Sequence, residues 1–260
     1  MKPIKKEFVQ HAARQRKTYS FGKATGIAFN CFLVLSVFTS LSSDRTTRKY
    51  HVPFIQGDIT LSGKGDDPQW QQAASLSDFV YPWETGTPPL TQFQALHNDE
   101  WLYCLFTVND DHAYVHEPGS NDKRAVVKSS RAEIFFRRDE GLNPYYCLEI
   151  DPTGRVYDYE ARYHRAFDPT WSWPDGALII ETDRTPTTYT VEIAISKASL
   201  KALGLLRDNR IEAGLFRADR IPNTQSAGAF KWISWVMPDA TTPDFHIPSA
   251  FGVLELESRD

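Results

Sequence analysis

The chain has 260 residues, of which 41% are hydrophobic, 24% charged and 13% aromatic, with a formal net charge of −4. That balance excludes wholesale disorder and allows one large all-β domain or two small domains. The first 43 residues hold seven basic side chains and one acidic one, so the remainder is strongly acidic, which argues against a nucleic-acid backbone as partner.

Lys2, Lys5, Lys6, Arg14, Arg16, Lys17 and Lys23 open the chain, an apolar run from Ile27 to Leu41 follows, and Ser42 and Ser43 end it. A basic start, a short apolar run and a small-residue end form the pattern of a secretory signal peptide. The run falls short of the roughly twenty residues that a spanning helix needs. Residues 1–43 are therefore expected to be a signal peptide or, if uncleaved, an N-terminal anchor. The body is expected outside the cytoplasm (periplasmic, cell-surface or secreted) or tethered to the inner membrane, touching a membrane only through this segment. In such a compartment Cys104 and Cys147 could pair, and two buried free thiols fit the pattern equally well.

In chain order, Gly57 to Leu61 reads as an entry strand, followed by a Gly/Asp turn and a short helical stretch from Trp70 to Leu76. A proline-rich loop spans Tyr81 to Pro89. Thr91–His97 and Trp101–Asn109 form a hairpin across Asn98-Asp99, rich in strand formers. A long polar loop runs from Asp110 to Lys128. Three strands then fill Ser129 to Pro174, ending in a tryptophan-rich loop. Ala177–Asp183 and Thr188–Ile195 make another hairpin, and Ser196 to Leu205 is the one convincing helix, capped by Ser196 and ended by Gly204. Ile211–Asp219, Lys231–Val236 and Gly252–Glu257 complete the strands. Short strands with turns between them indicate an all-β fold, an antiparallel, jelly-roll-like β-sandwich occupying residues 50–258 as one domain.

Alternation assigns the faces. Ala132, Ile134, Phe136, Tyr146, Leu148 and Ile150 point to the core. Arg131, Glu133, Glu149, Asp158 and Glu160, with Arg162, are expected to converge on the opposite, polar face, where guanidinium and carboxylate groups make strong directional hydrogen bonds. Such groups suit vicinal hydroxyls; a solvated face of cross-strand ion pairs is the competing reading. Trp83, Trp171 and Trp173 lie in loops beside prolines and read as platforms for a ring or as lids over the end of the sandwich. Trp101 and Trp232 read as core. His112 and His116 have metal-like spacing but sit in a loop. Asp110-Asp111, or Asp66-Asp67 with Asp58, could supply oxygens to calcium, and solvated turns explain them as well. A carboxylate pair of the glycosidase kind is conceivable, but no motif marks one. No phosphate loop, nucleophile elbow or zinc spacing is present.

The segments YPWE, PPLTQFQALHNDEWLYCLFTVND, RAEIFF, YYCLEIDPTGRVYDYEARYHRAFDPTWSW and KWISWVMPDATTPDFHIPSAFG together resemble the stand-alone carbohydrate-binding family 9-like proteins of Bacteroidetes, from Tyr50 to Leu256. The resemblance implies a β-sandwich related to sugar-binding modules. Two tryptophans would enclose a terminal sugar, Arg and Glu would hold its hydroxyls, and calcium would serve as a structural ion rather than a reactive cofactor. It matches Glu133 to the family's acidic strand, and Trp83 with either Trp171 or Trp173 to the paired platforms. The implied function is binding of an oligosaccharide or polysaccharide in support of carbohydrate catabolism, with no catalytic residue. Glycoside hydrolysis by two carboxylates is the alternative.

Overall fold

The computed structural model describes residues 47–221 and 229–258; the expected signal segment lies outside them. The strands are β1 (Lys49–Val52), β2 (Thr91–His97), β3 (Trp101–Asn109), β4 (Arg131–Arg137), β5 (Tyr145–Ile150), β6 (Val156–Arg162), β7 (Ala166–Asp168), β8 (Leu178–Arg184), β9 (Thr188–Ser196), β10 (Leu206–Arg207), β11 (Arg210–Arg220), β12 (Phe230–Ser234) and β13 (Gly252–Leu256), with one α-helix, α1 (Lys197–Ala202). They form two sheets. The larger runs β1-β13-β11-β4-β5-β6-β7, with β10 and β12 also pairing with β11, and the smaller runs β2-β3-β9-β8. The expected antiparallel sandwich is thus present, with one departure: at the edge of the larger sheet β1 pairs parallel with β13.

The main core lies between the sheets. Ala132, Ile134 and Phe136 of β4 and Leu148 and Ile150 of β5 meet Leu102, Cys104 and Phe106 of β3 and Val191, Ile193 and Ile195 of β9. These are the alternate residues of each strand, as a pleated sheet buried on one face requires. Yet every residue of β4 and β5 is buried. Their outer face is covered too, by a second cluster in which Phe135, Tyr145, Cys147, Tyr159 and Phe216 pack with Phe245, Ala250 and Phe251. The loop between β12 and β13 brings Phe245 there. Phe216 and Phe245 stack at 4.1 Å between ring centroids. This covered outer face gives the larger sheet a walled depression.

Gly57–Leu61 is not a strand. Its neighbourhood bonds to side chains instead: Thr60 N–H donates to Asp67 Oδ2 (2.9 Å), and Ser62 N–H to Glu192 Oε2 (2.8 Å). The stretch lies over the smaller sheet, adding Ile55 and Ile59 to a third cluster with Trp70, Leu96 and Tyr103. The helix is where expected, although Ser196 makes no side-chain cap bond. Gly204 ends it at φ 72, the left-handed conformation that favours glycine. Cys104 and Cys147 are both free and buried. Cys104 faces the main core from the smaller sheet and Cys147 sits in the cluster on the outer face of the larger sheet, so no bridge forms.

Candidate functional site

The depression on the outer face of the larger sheet is a cavity of about 250 Å³. Arg131, Glu133 and Phe135 from β4, Glu149 from β5, and Tyr157 and Tyr159 from β6 supply its floor and one side. Trp232 from β12, Phe167 from β7 and the loop residues Trp83, Arg165, Phe245 and His246 supply most of the rest. Register explains the strand contributions: Glu133 lies opposite Glu149, and Glu149 opposite Tyr157. On the other side Arg131 lies opposite Ala218, which lies opposite Trp232. Opposed residues share a face.

The floor is a buried ionic triad. Arg131 Nε is 2.8 Å from Glu133 Oε1 and 2.6 Å from Glu149 Oε2. The guanidinium is further held by donation from NH1 to the carbonyls of Val127 (3.0 Å) and Ser129 (3.3 Å). Its flat face lies over the rings of Phe230 and Trp232, at 5.1 and 5.6 Å, a cation–π arrangement. Tyr159 Oη donates to Glu149 Oε1 at 2.8 Å. Burial and the adjacent Glu149 charge raise the Glu133 pKa, and Arg131 only partly offsets them. Burial acts against the Arg131 charge, but Glu149 and Glu133 outweigh it and its pKa rises. Two carboxylates therefore share one cation, and Glu133 retains its proton further up the pH scale than an ordinary glutamate.

The walls are aromatic. Trp83 Nε1–H donates to Ala240 O (2.8 Å), which fixes the indole in the loop where sequence alone placed it. It packs against Phe245 at 5.2 Å, and Trp232 meets the same ring edge-on at 5.8 Å. Tyr157 and Tyr159 lie 4.8 Å apart. At the rim, Asp244 accepts from His164 Nε2 (2.9 Å) and Arg165 NH1 (3.0 Å). This clamps the Phe245 loop to the connection between β6 and β7. His246 stacks on Phe135 at 5.1 Å, and its Nδ1 is 2.9 Å from Tyr145 Oη. Burial, with Arg165 nearby, lowers its pKa, so it is neutral near pH 7.

Of the residues marked in the sequence, Trp83, Arg131, Glu133 and Glu149 come together here. Asp158, Glu160, Trp171 and Trp173 do not. The Asp151–Arg155 turn sets Val156 opposite Ile150, so odd-numbered residues of β6 share the face of Glu149 and even-numbered ones turn inward. Asp158 consequently faces the core side, where it accepts from Lys123 Nζ (2.9 Å) and from Trp173 N–H (2.6 Å). Glu160 lies opposite core-facing Tyr146 and accepts from Arg162. Trp173 is buried in the main core and donates to Ser199 Oγ (3.0 Å). Trp171 packs on Tyr146 at 4.9 Å. The WSW loop packs on the main core and lies outside the cavity over Arg131. Conversely, Trp232, expected in the core, lines the cavity. Tyr157 and Tyr159, which alternate with Asp158 and Glu160, line the cavity in their place. Phe245 and His246 carry no local signal at all.

The calcium candidates do not fit a metal. Asp58 Oδ1 accepts from Asn98 (2.8 Å) and Tyr103 (3.0 Å), and Asp67 caps Gln69 N–H (2.9 Å). Asp110 accepts from His112 N–H (2.9 Å) and pairs with fully buried Arg217 at 3.2 Å. Among the described residues no group of three His, Cys, Asp or Glu side chains could hold a metal ion.

Against known proteins, the model of the family described as carbohydrate family 9 binding domain-like matches residues 44–259. No curated protein gives a significant sequence match. Among solved structures, a protein of Bacteroides uniformis, described as a candidate carbohydrate-binding protein, superposes with a TM-score of 0.63 at 15% identity, covering 82% of this chain and 100% of that one. A family 9 carbohydrate binding module of Caldicellulosiruptor kristjanssonii in complex with glucose gives a TM-score of 0.52 at 16% identity, covering 82% and 97%. A module of the same family and organism in complex with cellotriose gives 0.51 at 17%, covering 82% and 95%. At these identities the likeness is one of fold.

Proposed function

Because the chain belongs to the carbohydrate family 9 binding domain-like family, we propose that the cavity over Arg131, Glu133 and Glu149 binds a sugar of an oligosaccharide or polysaccharide. The observation that carries this reading is the joining of an aromatic wall to a charged floor in one cavity. The C–H face of a pyranose packs on an indole or phenol ring, while its hydroxyls, each a donor and an acceptor, reach the guanidinium and carboxylates. Trp83, Trp232 and Tyr157 offer the apolar contacts. The solved modules bound to glucose and to cellotriose support carbohydrate as the ligand class. A cavity of this size admits about one ring, and affinity of roughly micromolar strength or weaker is expected once ordering and desolvation are subtracted.

The protein acts outside the cytoplasm, delivered or anchored by residues 1–43, and serves carbohydrate breakdown by capturing glycans. Support comes from the basic-then-apolar pattern of that segment. Cell fractionation with N-terminal sequencing of the mature protein tests it, and an intact cytoplasmic chain would refute it. Glycan-array binding followed by calorimetric titration, with and without chelator, tests the ligand and any calcium together. Failure to bind any glycan overturns the proposal. Hydrolysis is the less favoured reading, because one guanidinium nitrogen holds an oxygen of both Glu133 and Glu149 and the matched family is described by binding, not catalysis.

A further inference from the structure

With both carboxylates ionised, the charges at the cavity floor would not cancel. Among the described residues Arg131 is the only cation there, and it faces two carboxylates, Glu133 (2% exposed) and Glu149 (5% exposed). The other cation lining the cavity, Arg165, is spent on Asp244 at the rim, which His164 also holds. Among the described residues no lysine lines the cavity, and His246 is held neutral by burial. The groups facing Glu133 from the packed elements are Cys147, Glu149 and Tyr159, which are neutral or anionic. An uncompensated buried carboxylate is costly unless it is protonated or paired. Around this deficit stand the π-faces of Trp83, Tyr157 and Phe167, and aromatic faces attract cations, most strongly where water is excluded. Arg131 already lies over Phe230 and Trp232, and Lys123 lies over Tyr157 and Arg165 over Phe167, each at 5.8 Å, so of these three rings Trp83 remains for a further positive group.

We infer that the cavity selects a sugar bearing a free amine, an amino-deoxy-hexose whose ammonium group supplies, beside Arg131, the second positive charge for Glu133 and Glu149 that no other described side chain gives. The inference rests on the reading of this cavity as the sugar site and names the sugar class. Two consequences distinguish it from simple hydroxyl recognition. An N-acetylated amine has no charge to offer and gains nothing. And because Glu133 holds its proton in the empty site, an arriving ammonium displaces that proton, so binding of the amine releases one to buffer while binding of a neutral sugar does not.

Paired calorimetric titrations on the intact protein at pH 6.5 test this, using glucosamine against glucose and N-acetylglucosamine, and galactosamine against galactose, each in two buffers of different ionisation enthalpy. The expected result is roughly tenfold or greater preference for the free amine within at least one pair, with proton release confined to the amine. Glu133→Gln should bring the ratio down to about one and abolish proton release. Equal affinity within every pair, or preference for the neutral or acetylated member, overturns the amine assignment and leaves carbohydrate binding standing. Methylammonium binding as tightly as glucosamine also overturns it, since the ring would then contribute nothing. If no sugar of either kind binds, while a glycan array is also blank, it is the carbohydrate reading itself that fails.

Discussion

Glu133 and Glu149 stand directly opposite each other on neighbouring strands, and a single guanidinium, Arg131, holds both. Like charges in register on adjacent strands are normally avoided. Here the arrangement is stable because Arg131 lies between the carboxylates and Tyr159 donates to one of them. The pair is therefore an electrostatic compromise, and its energetic consequences can be measured.

The first concerns pH. The folded-state pKa of Glu133 is raised above its unfolded value of about 4.3. Between the two values the native chain holds a proton that the unfolded chain has lost, so stability falls as pH rises through this window, by at most about 1.4 kcal/mol per pH unit. Below the unfolded value the contribution is fully present. Glu133→Gln removes this slope. Urea unfolding of both proteins at steps from pH 5 to 8 should show the variant gaining on the wild type as pH rises. A constant difference would mean that Glu133 ionises normally.

Trp83→Ala should weaken glycan binding at least tenfold, consistent with loss of one stacking platform. Trp83 packs on Phe245 at the edge of the outer cluster and is only partly buried. The fold should survive, with a stability loss of about 1–2 kcal/mol. Calorimetric titration read beside thermal melting separates the two effects. Undiminished affinity in a folded variant removes Trp83 from the site.

The strands and one face of the site were legible because their signal is local. Alternation in Ala132–Phe136 and Leu148–Ile150 has period two, and it put Arg131, Glu133 and Glu149 together correctly. The error at Asp158 and Glu160 has a specific source. Which face β6 presents depends on whether its pairing with β5 joins odd with odd or odd with even, and that is decided by the five residues Asp151–Arg155, not by the strand itself. A shift of one residue would have reversed Tyr157, Asp158, Tyr159 and Glu160 together. The tryptophans failed for a different reason: an indole beside proline in a loop looks the same whether the loop folds over the core, as at Trp173, or stands beside a cavity, as at Trp83. Phe245 and His246 reach the site through the loop clamp of Asp244 with His164 and Arg165, a contact between distant segments that no local pattern contains.

Arg131→Met should be severely destabilising, by about 3–5 kcal/mol, because it leaves two buried carboxylates without their cation. The cost is conditional on their charge. Adding Glu133→Gln and Glu149→Gln to Arg131→Met should recover most of the loss, and acidification toward pH 5 should narrow the gap between the single variant and wild type. Urea midpoints across the three proteins form the test. If the triple variant is no more stable than Arg131→Met, the contribution of Arg131 is packing on Phe230 and Trp232 and not charge.

Trp173→Ala tests the division between core and site tryptophans from the other side. Trp173 is buried to 5% exposure, packs on Phe136 at 5.9 Å and donates to Ser199 Oγ. Its backbone N–H is also bound to Asp158, which Lys123 ties to Trp171 O (2.9 Å). Truncation opens a large void beneath this loop and should cost about 3–5 kcal/mol. Of these contacts only Lys123, 5.8 Å from the centre of the Tyr157 ring, approaches the cavity over Arg131, so affinity measured on the folded fraction should stay within about twofold of wild type. A variant that folds well but loses glycan binding would return Trp173 to the ligand and move the site to the end of the sandwich.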